Sequence, residues 1–249
     1  MSRFLYPLYI AMFSARKRSN NTVERKNFWV FPDYCQCCGI RLLGSAKQIC
    51  RYCILSELPR IYPEPKKGMY PEGIQWQMAC WKYEEDHLIQ RIIVQLKYKR
   101  AYGIGLDLGR AAADLFQQIH PDKYQQLMTE RPIVIPIPLS RQRRNLRGFN
   151  QSYSIAEGWT ALMPFPVLGE GVLERKPSRV HQVGKSKLER RMNREKMYKV
   201  VCPTIYDWTD RPVLILDDVY TTGSTCFAFW HFIKSVGFNN AYVITLAQS

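Results

Sequence analysis

This chain has no apolar run long enough to cross a bilayer, since a spanning helix needs about 20 consecutive apolar residues. No integral membrane span is therefore expected. Acidic residues are also few: 21 Asp and Glu stand against 36 Lys and Arg, a formal net charge of +15. That balance is high for a metabolic enzyme and points to a polyanionic partner, with nucleic acid first. A basic face that serves only solubility is the alternative. Histidine is scarce, and His87, His120, His181 and His231 share no metal-ligand spacing. None of them is assigned to catalysis. A complete P-loop is missing as well: Gly184-Lys185-Ser186 looks like the end of one, but Arg179 stands where the motif needs its first glycine. No internal repeat is present, and no helix-turn-helix pattern is recognisable.

The eight cysteines form no obvious disulfide framework. Four of them fall into two pairs, Cys35-x-x-Cys38 and Cys50-x-x-Cys53, with eleven residues between the pairs. Two such knuckles present four thiolates tetrahedrally to Zn²⁺, and because protein fills all four positions the site is structural rather than catalytic. A redox dithiol and an iron–sulfur cluster are the competing readings. Cys37 competes with Cys38 for the ligand position. Cys80, Cys202 and Cys226 stand alone and read as core residues. The pattern fits a reducing cytoplasm.

Residues 213–225 read Val-Leu-Ile-Leu-Asp-Asp-Val-Tyr-Thr-Thr-Gly-Ser-Thr. Four apolar residues predict a buried strand, with Asp217 and Asp218 where that strand ends. A turn follows, then a helix from about Ser224. Open α/β sheets bind ligands at such strand-to-helix mouths. Backbone N–H groups, hydroxyls and a helix N-terminus together hold phosphate, and Gly223 lets the backbone come close. The two carboxylates repel phosphate but suit ribose hydroxyls or Mg²⁺. The combination describes a phosphorylated sugar.

Elsewhere the pattern predicts strands over 28–33 and 74–83, the second with Ile74, Trp76, Met78 and Cys80 alternating with more polar neighbours. Asp86 is expected to cap a helix whose basic end is Lys97-Tyr98-Lys99-Arg100. A second helix is expected over about 105–119. Residues 133–138 read as a short buried strand, followed by a basic loop through Ser140, Arg141, Arg143, Arg144 and Arg147 and then a helix. Residues 1–27 read as a poorly ordered extension or an upstream start, with a membrane-surface anchor as a further possibility. Residues 28–58 are the zinc module, the proline-rich 59–73 a linker, and 74–249 the main domain.

The 213–225 stretch resembles the phosphoribosyl-pyrophosphate motif of type I phosphoribosyltransferases, with Tyr220 unusual for that broad group. The run Pro-Ile-Pro-Leu through Arg147-Gly-Phe-Asn-Gln-Ser152, Val219-Tyr-Thr-Thr-Gly-Ser-Thr225 and the cysteine pairs narrow the resemblance to the ComF/ComFC family of competence proteins. It spans roughly residues 30–247. The resemblance implies an α/β fold, a mostly parallel sheet flanked by helices, with a small N-terminal zinc module. It implies Mg²⁺–phosphoribosyl pyrophosphate at Asp217, Asp218, Thr221, Thr222, Gly223, Ser224 and Thr225, with Ser140 and Arg141 near the pyrophosphate and the acid pair at the catalytic position.

By the same resemblance, 174–199 corresponds to a hood over the ligand, and Arg175, Gln182 and Arg190 or Arg191 match its pattern. The family's threonine is Arg179 here and its leucine comes late, at Leu188, so the register of this loop stays open. Closure on diphosphate, single-stranded DNA contact and a plain solvated helix all fit its charge. For DNA contact the candidates are Arg143, Arg144, Arg147, Arg175, Arg179, Lys185, Lys187, Arg190 and Arg191, with Phe149, Tyr153 and Tyr198 as stacking platforms. The implied role is DNA uptake in natural transformation, in the cytoplasm or at the inner face of the membrane, beside the helicase of the same system. An active phosphoribosyltransferase of nucleotide or cofactor metabolism is the alternative, and a phosphoribosyl-pyrophosphate sensor a third reading.

Overall fold

The computed structural model describes residues 34–42, 44, 46–59, 70–84, 87–177 and 197–249. By contact the chain divides at Pro32–Asp33, and all described residues belong to the second unit. The expected extension, the strand at 28–33 and residues 60–69 of the linker lie outside them, as do Asp86, His181, Gln182 and the candidates Arg179, Lys185, Lys187, Arg190 and Arg191.

The chain order is α1 (Arg51–Glu57), β1 (Ile74–Lys82), α2 (Leu88–Tyr98), α3 (Tyr102–Ile119), α4 (Pro121–Glu130), β2 (Ile133–Pro136), α5 (Arg141–Arg147), α6 (Gln151–Thr160), β3 (Leu173–Arg175), β4 (Tyr198–Val200), a 3₁₀ turn (Pro203–Trp208), β5 (Val213–Tyr220), α7 (Ser224–Val236) and β6 (Ala241–Gln248). Four strands form one parallel sheet in the order β1-β6-β5-β2. β3 and β4 form a separate antiparallel ribbon. This is the expected α/β class.

Alternation along β5 builds two cores. Leu214 and Leu216 face Trp76, Phe116 and Trp159, while Val213 and Ile215 face Phe229, Trp230 and Ile233 of α7. Trp159 is fully buried, and truncating so large a side chain costs about 3–5 kcal/mol. β1 departs from the predicted half-buried alternation, because all seven residues from Trp76 back to Ile74 and on to Trp81, Gln75 excepted, are buried. A strand in a helix-covered parallel sheet loses water on both faces, so the alternation carries less information there.

Helix α3 lies against α6 at backbone contact. A Cβ on Gly109 would come within 2.1 Å of the Ile155 carbonyl oxygen, and one on Gly158 within 2.2 Å of that of Leu106. No side chain fits at either point. Three helix limits differ from expectation. α2 has His87 as its N-cap residue, without a side-chain cap. α3 starts at Tyr102 rather than near 105. The basic loop after β2 is a helix, α5, because Ser140 Oγ accepts from the Arg143 N–H at its start and Gly148, at φ 86°, closes its end.

Candidate functional site

A mouth of about 280 Å³ opens at the carboxyl ends of β2 and β5, the position where open α/β sheets take ligands. Its acidic side is Asp217 and Asp218, with Thr221 and Thr225 beyond them. Arg143, Arg147 and Arg175 form its basic side, and Lys97, Gln151 and Ser152 also line it. Opposed charges in one cleft are what a ligand with both phosphate and metal-bound hydroxyls needs.

The acids lie inside β5 rather than beyond its end, which corrects the expected strand limit. The ladder to β6 continues past them, with Asp217 opposite Thr245 and Tyr220 opposite Gln248. Neighbouring strand residues point to opposite faces, so the two carboxylates take different partners. Asp218 pairs with Lys97 Nζ at 2.9 Å, both side chains being mostly buried. Asp217 Oδ1 accepts from Ser152 Oγ at 3.1 Å. Burial, then the charge of Asp218, pushes the Asp217 carboxyl from an ordinary 3.8 up to about 7. The site therefore combines a lysine-held carboxylate with a neighbour whose carboxyl is pushed upward by burial and by that charge. Sequence reasoning missed Lys97 here and assigned it only to the helix dipole.

The turn after β5 is tight. Gly223 has φ 70°, and a Cβ there would fall within 2.4 Å of the Tyr220 hydroxyl and 2.8 Å of the Phe227 ring. Tyr220 thus closes one side of the turn that leads into α7. Thr221, Thr222 and Ser224 are exposed, and the Ser224 N–H is 3.4 Å from Thr222 Oγ1.

On the other wall, Asn150 joins β2 to α6. Its Nδ2 donates to the Ile137 carbonyl at 2.9 Å and its Oδ1 accepts from the Ser152 N–H at 3.2 Å. Arg147 Nη1 donates to Gln151 Oε1 at 2.7 Å. Ser140 caps α5 and bridges to Arg175 of β3. Arg141 is exposed at the start of α5, and the arginines that line the mouth from that helix are Arg143 and Arg147. Arg144 pairs with Glu170 at 3.0 Å.

The proposed stacking platforms are corrected. Tyr198 is 2% exposed, packed edge-on against Phe229. Tyr153 donates its hydroxyl to the Leu168 carbonyl at 3.0 Å, and Phe149 packs partly buried on the core. Tyr198 is therefore a packing residue, while Tyr153 and Phe149 are half-buried and engaged in the contacts above.

Cys35, Cys38, Cys50 and Cys53 bring their sulfurs within 4.8 Å of one another. The Cys35–Cys53 and Cys38–Cys50 separations are 3.9 and 3.7 Å, close to the ~3.8 Å edge of a tetrahedron with Zn–S bonds of about 2.3 Å. Cys38, not Cys37, joins the group, which could hold a metal ion such as zinc. Burial raises the Cys35 thiol, but N–H donors from Cys50, Cys38 and Cys37 outweigh it and bring the thiol to about 6. Burial, with the charge of Cys35, pushes Cys37 up to about 12. Of the lone cysteines, Cys80 and Cys226 are buried, whereas Cys202 is half-buried and accepts from Thr204.

The cysteine segment is tied to α3 by a buried residue that the sequence did not reveal. Asp107 accepts from the Lys47, Gln48 and Ile49 N–H groups at 2.7–3.0 Å. Gln48 Oε1 accepts in return from the Ile104 N–H at 2.9 Å. No helix among the described residues is long and apolar enough to cross a membrane.

No protein-family model matches the chain. It is 26% identical over 225 residues to Competence protein F of Haemophilus influenzae, covering 90% of this chain and 88% of that protein. It is 29% identical over 115 residues to Competence protein ComFC of Bacillus subtilis, covering 44% of this chain and only 38% of that protein. Modest in identity, but nearly end to end for the Haemophilus protein, these matches show that the chain is similar to competence proteins named F and ComFC, as its motifs implied.

Proposed function

We propose that this protein serves competence by binding Mg²⁺–phosphoribosyl pyrophosphate in the mouth and handling single-stranded DNA beside it. The names of its two relatives support the competence role. The observation that carries the ligand is the pairing of Asp217 and Asp218 with Thr221 and Thr225 on one side and Arg143, Arg147 and Arg175 on the other. Asp217 and Asp218 hold the ribose hydroxyls or the Mg²⁺ that arrives with the ligand. Thr221, Thr222, Gly223, Ser224 and Thr225 receive the phosphate at the start of α7. Ser140 and Arg141 flank the pyrophosphate end, joined there by Arg143, Arg147 and Arg175. The metal supplies charge neutralisation that lets carboxylates and pyrophosphate share one cleft. The four cysteines hold structural zinc. The protein works on the cytoplasmic side, near the uptake machinery, with the helicase of that system as partner. The domain limits follow the same reading: a zinc module over 28–58, a linker over 59–73 and the phosphoribosyltransferase-like domain from 74.

A second reading, an active phosphoribosyltransferase of nucleotide or cofactor metabolism, draws support from Asp217. Two adjacent carboxyl groups, Asp218 fixed by Lys97 and Asp217 held by Ser152, suit a site that, when ionised, stabilises developing positive charge on the sugar. Pyrophosphate release separates the two. It would be measured with Mg²⁺–phosphoribosyl pyrophosphate, single-stranded DNA and a panel of nucleobases, with Asp217→Asn/Asp218→Asn as control. Ligand binding without release supports the binding role. Acceptor-dependent release that is lost in the double variant supports the enzyme. No ligand binding by the wild type removes both.

A further inference from the structure

The basic wall of the mouth continues outward as a ridge on which one aromatic ring, that of Tyr98, is well exposed. Tyr98, the last residue of α2, is 60% exposed, and Leu146 of α5 is 70% exposed. The Arg147 guanidinium lies over the Tyr98 ring, 5.7 Å from its centroid, and the same Arg147 lines the mouth. Tyr102, at the start of α3, meets Phe149 edge-on at 5.0 Å. The Arg100 side chain passes so close to Gly148 that a Cβ there would lie 3.3 Å from its Nε. These three contacts join the α2–α3 turn to the α5–α6 turn, so ridge and mouth form one surface. Two acids on the ridge are engaged: Glu157 accepts from the Tyr102 hydroxyl at 2.5 Å and Glu170 pairs with Arg144.

Charge alone would suit any polyanion, including a duplex or an anionic lipid surface. The exposed ring narrows the choice. A nucleobase presents its face only when it is unstacked and unpaired, and tyrosine rings and arginine planes then serve as platforms for it. Tyr98 supplies the ring, Arg147 the adjacent plane, and α5 a row of cations for the phosphates.

We propose that the Tyr98–Arg147 ridge is the track for a single-stranded nucleic acid, with a base on Tyr98, phosphates along α5 and the strand leading to the mouth. The inference rests on the single-strand reading above and deepens it by naming the surface. Tyr98, more open than Phe149, Tyr153 or Tyr198, takes their place as the stacking platform, and Arg147 links strand to ligand pocket because it belongs to both.

The test is fluorescence anisotropy of the full chain with labelled oligothymidylate over a range of salt, with a duplex of equal length and anionic vesicles as competitors. Tyr98→Ala is expected to weaken single-strand binding by roughly five- to hundredfold, the range for losing one stacked base. Tyr98→Phe should bind as the wild type does, and Tyr206→Ala, which removes a ring 53% exposed on the 3₁₀ turn, should too. If the wild type fails to bind oligothymidylate, the single-strand reading falls and this inference with it. Salt-dependent wild-type binding that Tyr98→Ala leaves intact overturns the ridge alone. So does a Tyr98→Ala defect confined to vesicles or duplex.

Discussion

The cysteine cluster and the ligand mouth are built in opposite ways. The four sulfurs come from one short stretch, Cys35 to Cys53, and converge on one another, with backbone N–H groups from Cys37 and Cys50 aimed at the Cys35 sulfur. The mouth gathers Lys97 from α2, Arg143 and Arg147 from α5, Ser152 from α6, Arg175 from β3 and the acid pair from β5. The first site is local in sequence and closed, with every ligand position filled by protein. The second is assembled by the fold and stays open.

That contrast predicts where perturbations act, and the largest effect falls on the cysteines. Removing metal with a chelator, or making Cys53→Ser, is expected to lower thermal stability strongly. Structural zinc contributes about 10 kcal/mol or more in small modules. Cys37→Ser should keep the metal content of the wild type, measured by elemental analysis. Unchanged melting after complete metal removal would break the comparison.

Next in size is the tie between the cysteine segment and α3. Asp107→Ala orphans the buried Gln48 and Ile49 N–H groups as well as that of Lys47. At about 1–3 kcal/mol for each buried donor left unpaired, the expected loss is about 2–6 kcal/mol in denaturant unfolding. Amide exchange at 47–49 should accelerate, while ligand affinity changes little. Equal loss of ligand binding would show that the regions are not separable.

Gly223→Ala acts on the mouth alone. A Cβ at φ 70° meets the Tyr220 hydroxyl, and strain of this kind costs about 1–3 kcal/mol. Calorimetry should register weakened Mg²⁺–phosphoribosyl pyrophosphate binding with the cysteine cluster intact.

The smallest effect is on pH dependence. Asp217, with its carboxyl raised to about 7, holds a proton in the folded state that the unfolded chain releases near 3.8. Its contribution to stability is therefore present below the unfolded value and lost as pH rises through about 7. Ligand that needs the ionised form should bind more tightly with rising pH, by up to about tenfold per unit below the midpoint. Asp217→Asn should abolish both trends. Lys97→Met removes a neighbouring positive charge that holds Asp217 down, so the midpoint should move above 7. A pH-independent affinity would count against Asp217 as a ligand contact.

Both regions were partly legible in the sequence, for different reasons. The cysteine pairs and the strand–turn–helix at 213–225 are contiguous, and local periodicity or spacing reveals contiguous features. Asp107 was not legible, because one acid among the apolar positions of α3 reads as the exposed face of the helix. Lys97 had a sufficient local explanation at the end of α2, and its partner Asp218 is far along the chain. α5 was read as loop because Arg-Gln-Arg-Arg-Asn-Leu-Arg has no apolar stripe, yet its signals were present: a serine cap before it and a glycine after it. Gly105 and Gly109, four apart in α3, marked the close approach of α6 and went unused. Tyr98, Tyr153 and Tyr198 look alike in sequence, and only packing decides which ring meets water.

The position of the acid pair within a paired strand has a consequence for recognition. Asp217 to Tyr220 are laddered to β6, so the backbone of that jaw is already paired, and ordering it should cost little on binding. The opposing jaw consists of long arginine side chains on a short helix and a three-residue ribbon strand. Selectivity between ligands of similar charge should therefore appear in the binding entropy of the arginine jaw, while the acid jaw acts as a fixed ruler for the spacing of the hydroxyls it receives.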